Sequence, residues 1–255
     1  FLHVPVYVVS NCILEFCMER QTRSQALINN QFYDDLNESW YTASNHPVAL
    51  LRAENRLRIP WIIDAIEKRF SKKAAVLDIG CGAGMLTNAL AKRGHKTFGI
   101  DLSESSLAVA KKFDMTGDVH YQKASAYSLP FSEEHFDVVC AMDVLEHVED
   151  PQKLIAEASR VLKPGGLFFF HTFDRNPLSY LFVIKGVEWC VRNTPKNMHV
   201  YSLFIKPDEL EQYCRNHRLN IEVMQGVAPK FNSLPFFKML FTRNVSDAFS
   251  FSFCK

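Results

Sequence analysis

The sequence predicts an α/β chain built on a doubly wound, mostly parallel sheet with helices on both faces. Three observations carry that prediction. Short apolar runs, "AAVLDI", "KTFGID", "FDVVCAM" and "LFFFHTF", recur between helix-like segments from residue 74 onward. They are continuously apolar, the pattern of strands buried on both faces. A glycine-studded turn, "GCGAG", joins the first run to a helix, and ligands in such sheets bind outside the carboxyl ends of the strands.

Taken in order, residues 1–17 ("FLHVPVYVVSNCILEFC") are apolar but have no basic leader and no small-residue cleavage site, so they make a poor signal peptide. Met18 opens an ordinary polar run, and residues 1–17 are expected to be a non-native or disordered extension, with an N-terminal strand as the alternative. Residues 18–70 read as an N-terminal helical cap, with aromatics interleaved in "QFYDDLNESWY" and basic residues in "LLRAENRLRIPW". Residues 71–255 hold the main domain. There "AAVLDI" is a strand, 85–93 a helix, "KTFGID" a strand, and "SESSLAVAKKF" a helix capped by Ser103. "VHYQ" and "FDVVCAM" are the next strands. A helix starts near Pro151, a residue favoured in the first turn, and runs to the "KPGG" stop at 163–166. The strand "LFFFHTF" leads into an insertion at about 174–200.

Composition narrows the function classes. A chain of 255 residues, 47% of them apolar, suits one large domain with a modest extension. Its formal net charge of +1 points to neither nucleic acid nor an acidic substrate as partner. Seven cysteines without a C-x-x-C pair fit a reducing, cytoplasmic compartment and argue against a disulfide framework or zinc ribbon. No apolar stretch reaches the roughly 18 residues of a membrane-spanning helix.

The glycine loop discriminates among ligands. Gly80, Gly82 and Gly84 give G-x-G-x-G, whereas a dinucleotide fingerprint needs its third glycine where Met85 stands. A phosphate-binding P-loop ends in G-K-[ST], and "AGML" has neither. Asp78, just before the loop, places a negative charge that disfavours phosphate and suits a cationic ligand such as S-adenosylmethionine. Small residues at the loop let backbone approach that ligand closely. Asp101 ends the second core strand, where a carboxylate can accept from both ribose hydroxyls. NAD enzymes use the same device, and a carboxylate at a helix N-terminus is the structural alternative.

In sequence order, "VLDIGCGAG", "GIDLS", "LPFSEEHFDVVCAMDVLEHVEDP" and "VLKPGGLFFFHT" resemble the successive motifs of class I S-adenosylmethionine-dependent methyltransferases over residues 74–172. The resemblance implies a Rossmann-like, seven-stranded sheet. It also implies a cofactor site that includes Met142 and Ser125, the latter standing where the family usually carries Asp or Asn. The flanks resemble, more narrowly, the ubiquinone-biosynthesis O-methyltransferases. In residues 171–210 the matches are Asn176, the run after it, "PK" at 195–196, His199 and "FIKP". Upstream, "LLRAENRLRIPWI" places Asn55 and Arg58 near the cofactor, with Arg58 pairing its carboxylate. The implied substrate is a polyprenylated phenol or catechol. Met198 and Val200 depart from the family's Thr and Asp beside the histidine, which leaves room for a related acceptor.

Methyl transfer to a phenol requires help with its proton, because a phenolic pKa is about 10. A base or a divalent cation supplies that help. Asp143, Glu146 and His147 have i, i+3, i+4 spacing, which gathers them if the segment makes a helical turn. They are candidates for Mg²⁺ or a similar cation, as the resembled family implies with Glu in place of Asp143. The same "LEHV" pattern also occurs in metal-free relatives. His147, with Glu146, is the candidate for handling the acceptor's proton. His199 could close over the substrate as base or ligand, or be a solvated loop residue, and His171 reads as structural or cofactor-adjacent.

The stretch 177–192 interleaves Leu178, Tyr180, Leu181, Phe182 and Trp189 with Lys185 and Arg192, the composition of a helix lying in a membrane interface. A lid helix packed on the core has the same spacing. The expected setting is therefore cytoplasmic with a peripheral contact on the inner membrane face, where a quinone-biosynthesis complex is a further expected partner. The competing functions are a methyltransferase for another small molecule and a non-catalytic cofactor-binding subunit. An NAD oxidoreductase fits poorly with the glycine spacing.

Overall fold

The computed structural model describes residues 4–11, 29–44, 46–191, 194–229 and 251–254. In chain order these form β1 (Val4–Asn11), α1 (Gln31–Asp34), α2 (Ser39–Thr42), α3 (Pro47–Arg69), β2 (Ala75–Ile79), α4 (Met85–Lys92), β3 (Lys96–Asp101), α5 (Glu104–Lys112), β4 (His120–Lys123) and β5 (Phe136–Met142). A 3₁₀ turn at Leu145–His147 leads to α6 (Pro151–Val161) and β6 (Leu162–His171). The insertion holds α7 (Pro177–Ser179), a π-helical turn at Tyr180–Gly186 and α8 (Val187–Cys190), followed by α9 (Pro207–Asn216), β7 (Leu219–Pro229) and β8 (Phe251–Cys254).

One sheet runs β4-β3-β2-β5-β6-β1-β7-β8. The first five of these strands are mutually parallel, and the last three join by antiparallel pairing. The sheet thus has eight strands among the described residues, where seven were expected. The difference lies largely in residues 1–17. Val4–Asn11, expected as part of an extension, pairs on one side with β6 and on the other with β7. A valine-rich run has the β-branched side chains that favour extended backbone. The remainder of 1–17, and residues 18–28 of the expected helical cap, lie outside the described residues.

The doubly buried strands follow the sequence closely. In β6, Phe168 and Phe170 join one core cluster while Phe169, between them, joins the other, and all three are fully buried. Val139 and Ala141 of β5 likewise oppose Val138 and Cys140. Alternate side chains of a strand point to opposite faces, so an unbroken apolar run needs cover on both. Helices α6 and α9 cover one face through Leu154, Ile155, Ala158, Leu210 and Cys214. Helices α3 and α4 cover the other through Ile62, Ile66, Leu86 and Leu90. Each buried Phe or Leu contributes about 1.5–3 kcal/mol relative to exposure.

The helix boundaries have local causes. Ser103 accepts a hydrogen bond from the Ser106 N–H at 3.1 Å and starts α5, as its position predicts. Asp150 does the same for α6 through the Lys153 N–H, with Pro151 in the first turn. Strand β2 lies where the connections reverse, with β3 and β4 to one side and β5 and β6 to the other. That reversal opens a crevice beyond its carboxyl end.

Candidate active site

The turn after β2 is held open by geometry that only glycine adopts easily. Gly80 and Gly84 have φ of +66° and +75°, in the left-handed region. A Cβ on Gly80 would stand 2.5 Å from Val144 Cγ2, and one on Gly84 would stand 2.2 Å from the Tyr121 hydroxyl. The chain therefore turns tightly against its neighbours and delivers Gly84 to the start of α4.

Beyond this turn lies a cavity of about 390 Å³ whose wall includes Gly80, Gly82, Asp101, Met142, Asp143 and His147. Asp101, at the end of β3, accepts from the Gly82 N–H with one carboxylate oxygen and from the Ser103 N–H with the other, each at 2.8 Å. Burial raises its pKa, and these backbone donors counter that rise. Each oxygen keeps a lone pair, so the pair of acceptors a ribose diol needs is in place. Asp78 also reaches the cavity but is buried and accepts from the Thr87 hydroxyl at 2.6 Å. Burial pushes its pKa up to about 7. Burial therefore weakens the full negative charge expected there.

Four sequence expectations need correction here. Gly84 is absent from the cavity wall and packs toward Tyr121 and Ala110. The Arg58 guanidinium, fully buried on α3, is absent from the cavity wall. It donates to both oxygens of Asp143 at 2.8 and 2.7 Å and to Asn55 Oδ1 at 2.9 Å. Asn55, one turn earlier on α3, does line the cavity. Ser125 is likewise away from the wall, while its neighbours Ala124 and Ala126 line it. Its hydroxyl accepts from the Tyr127 N–H in a local turn.

The fourth correction concerns the metal set. Among the described residues, the side chains whose ligand atoms converge within 4.8 Å are Asp143, Glu146 and His171, with His147 outside the group. Asp143 has φ +58°, and the residues after it form a 3₁₀ turn in place of an α-helix, so i, i+4 neighbours do not share a face. The convergent group does not fit a divalent cation. Arg58 already engages both Asp143 oxygens and supplies the compensating charge, and His171 Nδ1 contacts one of the same oxygens. The Asp143 carboxyl is accordingly held far below the usual range by Arg58 and His171, against its burial. Glu146, 1% exposed with neither oxygen hydrogen-bonded among the described residues, has its pKa pushed up to about 8 by burial and then by the Asp143 charge.

His147 lines the cavity, and burial pushes its imidazole down to about 4, so it is neutral at physiological pH. Its Nε2 lies 3.3 Å from the Tyr33 hydroxyl. His199 packs against it, ring centroids 5.6 Å apart, and against Phe173, but stands outside the cavity wall. Burial, then His147, pushes its pKa down to about 3. The wall also contains residues that sequence reasoning did not single out, chiefly Asn30, Tyr33 and Trp40. Trp40 donates to the Ser106 hydroxyl at 3.2 Å and backs Gly82. The aromatic interleaving of "QFYDDLNESWY" was the available signal.

Comparison with known proteins agrees with this geometry. A family model described as a methyltransferase domain matches residues 77–170. The ubiquinone biosynthesis O-methyltransferase of Azoarcus sp. strain BH72 is 38% identical over 200 residues, covering 77% of this chain and 84% of that relative. The chain belongs to the ubiquinone biosynthesis O-methyltransferase family. Its Hahella chejuensis member is also 38% identical, over 76% of this chain and 82% of its own length. Among solved structures, the YcgJ protein of Bacillus subtilis shares the fold with a TM-score of 0.55 at 24% identity, over 68% of this chain and 72% of that one. As a family member the chain is an S-adenosylmethionine-dependent methyltransferase. The cavity fits that cofactor, since Gly80 and Gly82 bring side-chain-free backbone to its wall and Asp101 presents two acceptors. Its volume also falls within the roughly 300–1,000 Å³ of small-molecule sites.

Proposed function

We propose that the chain methylates a phenolic or catechol hydroxyl of a polyprenylated quinone precursor in ubiquinone biosynthesis. The observation that carries this reading is the extent of the family identity. It runs over 200 residues, well past the shared domain at 77–170 and into its flanks. The common fold alone would not choose an acceptor.

The bound cofactor supplies an electrophilic methyl group on a sulfonium. The residues that would hold it are the 80–84 loop, Asp101 and Met142. Orientation of the two reactants in one cavity supplies much of the rate. His147, neutral and at the wall, can accept a proton from the acceptor hydroxyl. Glu146, its proton retained by burial, and His199, through ring packing on His147, back it.

The apolar side chains Leu178, Tyr180, Leu181, Phe182 and Trp189 are exposed on the insertion, Trp189 at 72%, while Ser179 and Ile184 face inward. No helix among the described residues is long and apolar enough to cross a membrane. In this reading the patch rests on the membrane that holds the polyprenyl tail, and a quinone-biosynthesis complex is its setting.

Labelled S-adenosylmethionine with a catechol bearing a short prenyl chain tests the assignment. Label transfer to a ring oxygen is expected, at equal rates with Mg²⁺ and with a chelator because Arg58 holds Asp143. No transfer to any prenylated phenol, with cofactor binding intact, would sink the acceptor assignment and leave the methyltransferase family standing.

A further inference from the structure

The Tyr33 hydroxyl meets His147 Nε2 at 3.3 Å inside the wall of the cavity. This contact links residues 114 apart in sequence. Tyr33 is fixed on three sides. Its backbone N–H donates to the Asn30 carbonyl, its carbonyl accepts from the Ser106 hydroxyl, and its ring stacks on Trp40 with centroids 5.7 Å apart. Next to it, the Asp34 carbonyl accepts from the Ser105 hydroxyl at 2.7 Å, tying α1 to α5. Asn30 holds the other partner by donating to the His147 carbonyl at 3.3 Å.

Burial, and then the charges of Glu146, Asp143 and Asp101, raise the Tyr33 pKa far above that of an ordinary phenol, so the hydroxyl keeps its hydrogen. It has one hydrogen to give, and the neutral imidazole offers Nε2 as acceptor. His147 Nδ1, buried without a hydrogen-bond partner among the described residues, then carries the ring's hydrogen.

We propose that Tyr33 and His147 work as one proton relay between the acceptor hydroxyl and the imidazole, with Tyr33 Oη as the atom that touches the acceptor. This rests on the phenolic reading above. As the acceptor oxygen forms its bond to the methyl carbon, the carbon–sulfur bond breaks and its electron pair stays on sulfur. The acceptor's hydrogen passes to Tyr33 Oη, and Tyr33's own hydrogen passes to His147 Nε2. The positive charge moves from sulfur to imidazolium, which returns its proton to water after product leaves. A methyl acceptor must be deprotonated only as it attacks, and a relay passes that proton on to the imidazole while Tyr33 stays neutral.

Tyr33→Phe keeps the ring, its stack on Trp40 and its edge contact with His147, and removes only the O–H. With an un-ionised catechol, Tyr33→Phe is expected to lower kcat by about 10²-fold or more, the usual size of a lost proton-transfer partner. His147→Asn should match it, and the double variant should be no worse than either single one. Calorimetric affinity for S-adenosylmethionine should be unchanged. With a nitrocatechol that is already ionised at neutral pH, both variants should approach the parent rate. A readout independent of turnover is the ¹⁵N resonance of His147, whose Nε2 should report an accepted hydrogen bond in the parent and lose it in Tyr33→Phe. Full activity of Tyr33→Phe on the un-ionised catechol, equal losses on both catechols, or an unmoved Nε2 resonance would each overturn the relay. A parent inactive on every catechol removes the acceptor assignment, and the resonance then decides the Tyr33–His147 pair alone.

Discussion

The Arg58 guanidinium grips both carboxylate oxygens of Asp143, at 2.8 and 2.7 Å, across 85 residues of sequence. Arg58 is fully buried and Asp143 sits at the cavity edge, so this pair anchors α3 to the loop after β5. It also decides what Asp143 is for. A carboxylate held by a planar, permanently charged fork is a structural anion, not a free metal ligand.

Removing one partner should therefore cost more than removing both. Arg58→Leu leaves Asp143 without its counter-charge and should destabilise the fold by about 3–5 kcal/mol. Adding Asp143→Asn should recover part of that loss. Denaturant midpoints of the two variants check the prediction, and an equally unstable double variant would count against the pair as the cause.

The loop geometry predicts a steric signature. Gly80→Ala places a Cβ 2.5 Å from Val144 Cγ2 and adds a left-handed strain of about 1–2 kcal/mol. Cofactor affinity should fall about tenfold or more, a loss of roughly 1.4 kcal/mol or above. Val144→Ala in the same chain should restore some affinity by removing the clash, but not the strain. Calorimetry on the three proteins reads this directly.

Asp101 serves the turn, and the proposed reading gives it the ligand as well. In Asp101→Asn one of the backbone donors, Gly82 N–H or Ser103 N–H, meets an amide N–H₂, and the charge-assisted acceptors are lost. Such hydrogen bonds are worth about 1.5–3 kcal/mol, so the Kd for S-adenosylmethionine should rise about 10- to 150-fold. A rise confined to kcat effects, with Kd unchanged, would remove Asp101 from the cofactor site.

Glu146 should leave a pH signature in stability. Its pKa in the fold, about 8, lies above its ordinary value near 4.3. Between those values the native state holds a proton that the unfolded chain has released, so this group makes stability fall as pH rises. Glu146→Gln abolishes that fall. Its stability relative to the parent should grow from about pH 5 to about pH 8, by at most about 1.4 kcal/mol per pH unit. A constant gap over that range would mean the carboxyl is already ionised in the fold.

The exposed patch of the insertion predicts lipid binding. The parent should co-sediment with anionic liposomes, and Phe182→Ser with Trp189→Ser should reduce that binding without changing cofactor affinity. Failure of the parent to sediment would leave these side chains as part of a lid.

Much of the fold was legible in the chain itself because burial on two faces writes an unbroken apolar run. Phe168, Phe169 and Phe170 needed no partner to be read as a central strand. The glycine turn and the Ser103 cap were equally local, fixed by φ angles and a hydrogen bond within three residues. The count of strands was not local, because Val4–Asn11 becomes part of the sheet only by pairing with β6 and β7.

The same division runs through the site. Sequence pointed to the glycine loop, Asp101 and His147, since each follows closely on the end of a buried apolar strand. Only the tertiary structure decided the partners. It spent Arg58 on Asp143, substituted His171 for His147 beside Asp143 and Glu146, and brought Tyr33 to His147 from 114 residues away. Spacing along the chain specifies which side chains share a turn only if the turn is α-helical. After Asp143 the backbone takes a left-handed step and a 3₁₀ turn, and that conformation, set by packing against α3 and β6, chose the neighbours.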